Sequence, residues 1–95
     1  MLLEIWHHKD RASEWAEVSA VRMTGPSTAQ IFLSDPNQVW FLLASPTRVH
    51  ENENRWVYHA TISIQTNEKL EGVLTAIRHD LGFKEIFLPF KLHLT

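Results

Sequence analysis

Residues 4 to 10 read EIWHHKD. Imidazole and carboxylate groups this close together are the groups that bind zinc, or that serve as a general base and the residue orienting it. The spacing allows His7 with Asp10, or His8 with Asp10 across a turn. His7 and His8 are neighbours, and on a strand neighbours point to opposite faces. They can share one metal only if a bulge re-aims one of them. The plainer reading puts both at the solvent end of a first strand.

The chain carries six histidines, each titrating near neutrality. No HExxH pair or other close-spaced helical ligand pair is present. His59 lies mid-strand with Val57, Thr61 and Ser63 and is the most constrained of the six. His7, Asp10 and His59 are thus the metal or acid–base candidates, set against ordinary surface or packed roles. His50 stands with Glu51, Asn52 and Glu53 in a polar stretch that lacks an ordered calcium-loop pattern. His79, beside Asp80, fits favourable dipole chemistry at a helix end, and His93 fits a surface or interface near the chain end.

Other chemistries are excluded by type. There is no cysteine, so no disulfide, thiol nucleophile or thiolate zinc site can form. G-x-S-x-G is absent, and with only Gly25, Gly72 and Gly82 there is no glycine-rich phosphate loop. TGPST (24–28) offers hydroxyls on a turn, which reads first as a surface turn and second as a small anion site. Glu14 and Glu17 share a face only if that stretch is helical. No cofactor is implied.

The 95 residues suit one domain spanning 1–95 with a modest core. An apolar fraction of 44% argues against disorder. The net charge of −2, with cationic residues scattered along the chain, speaks against a general nucleic-acid binder. The N-terminus lacks the features of a signal peptide, and no run reads as a membrane span. A cytoplasmic protein is the expectation.

The elements that must position these residues are read from periodicity. Leu2 to His7 reads as a strand, and ASEWAEVSAVRM fits either a capped helical turn or a strand with neither face cleanly apolar. AQIFLS and QVWFLLA, around DPN, suggest a β-hairpin, with SPTRVHENENR (45–55) as a loop. RWVYHATISI is a strand with Trp56, Tyr58, Ala60, Ile62 and Ile64 on one face. Thr66 or Asn67 can cap a helix over 67–81, in which Leu70, Val73, Leu74, Ile77 and Leu81 recur at helical spacing and Gly82 closes the end. EIFLPFKLHL ends the chain as a strand, with Pro89 marking an edge or bulge. The expected fold is α+β: a largely antiparallel curved sheet of five or six strands with one main helix (67–81) packed on one face. An all-β barrel with one helix is the alternative.

Four tryptophans and five phenylalanines exceed what so small a core needs, so some aromatic surface is left for a partner. Phe87, opposite in phase to Ile86, Leu88 and Phe90, is the best example, the alternative being a last strand buried on both faces. The sequence therefore favours a non-enzymatic protein–protein interaction module, as a homodimer or a small complex subunit. The partner-binding candidates are Glu51, Glu53, Tyr58, Phe87, Pro89 and Lys91. An acidic inhibitor covering a basic site through Glu51 and Glu53 is one version. A histidine-based metal or ligand-binding protein, or a small dimeric enzyme, is the alternative. Single-stranded nucleic-acid binding by sheet aromatics comes third.

Overall fold

Strands, and no helix, make up the described part of the chain. The computed structural model describes residues 1–6, 14–35, 44–50, 53–78 and 82–95, with the backbone alone at 44–45, 47–50 and 53–55. The strands are β1 (Leu2–Ile5), β2 (Glu14–Met23), β3 (Thr28–Leu33), β4 (Ala44–Ser45), β5 (Thr47–His50), β6 (Glu53–Gln65), β7 (Lys69–Arg78) and β8 (Lys84–His93). β1, β2, β3, β6, β7 and β8 pair antiparallel in that order, and β8 pairs back onto β1. The result is a closed six-stranded barrel. Closure satisfies the backbone groups that an open sheet would leave on two edges.

The expected α+β fold is thereby corrected. Residues 69–78 of the expected helix form β7, paired on both sides with β6 and β8. Residues 79–81 lie outside the described set. Two periods coexist in this stretch. Leu70, Leu74 and Ile77 satisfy helical spacing, but Leu70, Gly72, Leu74 and Ala76 alternate with Glu71, Val73, Thr75 and Ile77. β-branched residues on the alternate positions favour the strand, and partners on both flanks decide it. The capping signal is equally two-valued. The Thr66 hydroxyl does accept from the N–H groups of Glu68 (3.2 Å) and Lys69 (3.1 Å), yet it closes the β6–β7 hairpin rather than starting a helix. Gly82 is left-handed (φ 72), followed by left-handed Phe83 (φ 62), and the pair enters β8.

Two bulges interrupt the alternation of the strands, and the second corrects the expected placement of Ile64. In β2 the register shifts between Val18 and Ala20, so Glu14, Ala16 and Val18 point inward, and Val21 resumes on the inner face. In β6 it shifts between Ile62 and Ile64, which turns Ile64 outward, 47% exposed, away from the face of Tyr58, Ala60 and Ile62. Bulges raise local twist and so help a short sheet to close. The 45–55 stretch, expected as a loop, holds β4, β5 and the start of β6. β4 pairs with the end of β7, and β5 with the start of β6, on either side of buried Pro46. The hairpin partner expected in 38–44 falls almost wholly outside the described residues.

The interior is one cluster in which large Leu3, Ile5, Tyr58, Leu74, Phe90 and Leu92 interleave with small Ala16, Ala29, Ala60 and Ala76. Alternating large and small side chains suit the taper of a narrow barrel. Pro89 is not on an edge strand: β8 has a neighbour on each side. The Trp6 N–H donates to the Pro89 carbonyl (2.9 Å), just beyond the last β1–β8 rung at Ile5 and Phe90. The missing proline donor therefore falls where the β1 ladder ends.

Candidate functional site

Strand alternation sends odd-numbered β7 and β8 residues to the outer surface from Lys69 to Ile77 and from Glu85 to His93. Cross-strand rungs set Ile77 beside Glu85, Thr75 beside Phe87, Val73 beside Pro89, Glu71 beside Lys91 and Lys69 beside His93. The middle of this face is apolar. Phe87 is 66% exposed, Val73 is 36% exposed and Pro89 is exposed. Tertiary packing leaves them there because the inner positions of both strands are already filled by Leu70, Leu74, Leu88, Phe90 and Leu92.

Toward the end of the face near His93 the surface becomes charged. Glu71 lies between Lys69 (3.3 Å) and Lys91 (3.6 Å), and the Lys91 ammonium sits 5.7 Å from the Trp6 ring centre. On the adjoining strands Trp15 stacks on His93 at 5.8 Å, and His93 Nε2 is 3.7 Å from Glu4 Oε2. Trp15, on β2, remains 47% exposed. Trp15, Trp6 and Phe87 step diagonally across β2, β1 and β8, since Glu4 pairs with both Trp15 and Lys91 and Trp6 bonds to Pro89. Each such step is roughly 8 Å in a regular sheet.

The sequence-predicted residues are dispersed. His7, Asp10 and Glu51 lie outside the described residues. The Glu53 backbone pairs with His50 in the β5–β6 ladder. His59 is exposed on the outer face of β6, between Gln30 of β3 and Thr75 of β7. Among the described residues no group of three or more His, Cys, Asp or Glu side chains could hold a metal. Tyr58, expected to meet a partner, is 1% exposed inside the barrel and cannot do so. Phe87, Pro89 and Lys91 are brought together on one face. The TGPST hydroxyls bond to each other, Thr24 to Thr28 at 2.9 Å, in the β2–β3 turn.

Glu14, considered in the sequence only as a helical neighbour of Glu17, lies instead on the opposite face of a strand from it. It is 8% exposed on the inner side of β2, opposite Ile5. Desolvation pushes its carboxyl up to about 7. Burial, and then the Glu14 carboxylate, hold the Tyr58 phenol above its ordinary range. The available signal was the alternation Glu14–Ala16–Val18, which puts the acid on the apolar side once the stretch is a strand.

Comparison with protein-family models, curated proteins and solved structures found no match for this chain. Among the described residues no helix is long and apolar enough to cross a membrane.

Proposed function

We propose that this chain is a non-enzymatic protein-interaction module that docks through the outer face of β7 and β8. The observation that carries this reading is Phe87, a large aromatic 66% exposed, adjoining Pro89 and Val73 on rigid, doubly paired strands. A core aromatic would be turned inward. An exposed aromatic centre ringed by charges is the usual anatomy of a binding hot spot. Lys91 and Glu71 supply a polar rim beside it. The acidic-inhibitor version rests on Glu51 and Glu53 and draws no support from described side chains.

The test is a photo-crosslinking phenylalanine analogue placed at position 87, with the same probe at Ser19, exposed on β2, as control. Illumination in cells is expected to give discrete protein adducts from position 87 and none from position 19. Equal, diffuse labelling from both positions defeats the reading.

A further inference from the structure

We infer that the occupant of this face is a second copy of the same chain, packed face to face with its β8 running in the opposite direction. This rests on the reading of the β7–β8 face as a docking surface. The argument is the charge pattern along β8. On the outer face Glu85 stands three residues before Leu88, and Lys91 stands three residues after it. Phe87 and Pro89 flank the same point. The face is therefore complementary to its own reversed copy.

A two-fold axis lying in the interface, perpendicular to the strands at the level of Leu88, sets Glu85 against the second copy's Lys91 and Phe87 against its Pro89. Both charge pairs form at once, because the contact is isologous. On β7 the same operation sets Thr75 against Val73, and Ile77 against the stem of Glu71, whose carboxylate two lysines already hold. An axis along β8 gives the opposite result. It stacks Glu85 on Glu85 and Lys91 on Lys91, and like charges across an interface are costly. Electrostatics thus selects the reversed arrangement. The occupant is a self-complementary sheet face rather than a strand, because β7 and β8 have no free edge to extend.

Two convex barrels meet over a small area, so the dimer belongs to the weak class, with dissociation roughly micromolar. The experiment is sedimentation velocity from about 1 to 300 μM on the unmodified chain, on Glu85→Lys, on Lys91→Glu and on the double exchange. Thermal melting of each variant confirms folding. The unmodified chain is expected to dimerise with rising concentration, each single reversal to weaken the dimer at least tenfold, and the double exchange to recover most of that loss. Recovery matters because Lys91→Glu also disturbs Glu71 within the chain, and a purely internal defect is not repaired by changing Glu85.

A chain that stays monomeric at every concentration overturns the second-copy proposal. So does a dimer indifferent to the reversals, or one weakened by them that the double exchange fails to rescue. The position-87 crosslink separates this failure from that of the docking face. Adducts with another protein leave the face standing and remove the second copy. Absence of specific adducts, together with a monomer, removes both.

Discussion

Glu14 is a carboxyl group on the inner side of a barrel strand, opposite Ile5 on β1 and near enough to buried Tyr58 for its charge to act on the phenol. Its proton is held to about 7, against 4.5 for the unperturbed group. The folded chain therefore binds a proton that the unfolded chain has released between these values. Stability is greatest below about 4.5 as far as this group is concerned, and falls as pH rises toward 7. The full shift corresponds to at most ~3 kcal/mol. Glu14→Gln is expected to remove this slope and to raise stability at pH 8 by roughly 1–3 kcal/mol, with little change near pH 4.5. Urea unfolding at the two pH values measures it. A variant no more stable than the parent at pH 8 would show that the ionised carboxylate is well accommodated.

At the scale of elements, β6 and β7 meet across a bulge that only glycine tolerates. Gly72 sits opposite Ile62, and a Cβ added there would overlap the Thr61 carbonyl. Neighbouring backbone cannot yield as a flexible side-chain end can. Gly72→Ala is expected to destabilise the chain by more than ~3 kcal/mol, read from the denaturation midpoint. A cost below ~1 kcal/mol would mean that the β6–β7 ladder shifts freely. The two ends of β7 show how sequence signals become ambiguous. Thr66 bonds the two following N–H groups as a helix cap would, and Gly82 takes the left-handed backbone that a helix end uses. Both features are local, and hairpins use them too. The Glu14–Met23 strand was legible only as one of two options, because its bulge near Ser19 breaks the alternation that would have identified it.

At the scale of the whole molecule, the short strand β1 joins the first and last parts of the chain. It has four residues, and both flanks are paired, with β2 and with β8. A four-residue strand on an open sheet would fray. In a closed barrel its exchange is tied to opening of the interior that Leu3 and Ile5 fill. Hydrogen exchange is therefore expected to be as slow in the peptide covering 1–6 as in that covering 28–33, with Thr28–Leu33 of β3 as the internal standard. Exchange of the first peptide within seconds, while the second stays protected, would mean that the β1–β8 seam opens independently.

The sequence by itself determined the inner and outer sets of its last strand, with Phe87 on the outer one, and the strand character of Leu2–Ile5, Thr28–Leu33 and the run through Tyr58. These follow from alternation, strand-forming residue types and turn residues, none of which needs knowledge of partners. It also determined that cysteine chemistry is impossible. Tertiary structure decided the rest. That the outer face of the last strand is uncovered at Phe87 came from the tertiary structure. Residues 69–78 satisfy two periods, and pairing on both flanks selected the strand. Tyr58 looked available to a partner because a strand's aromatic face can point either way, and closure of the barrel turned it inward. Glu14 acquired its raised proton affinity only when β2 folded against β1, since desolvation is a property of surroundings and not of sequence. The juxtaposition of Phe87, Pro89, Val73 and Lys91 likewise needed the β7–β8 register, which no local pattern specifies.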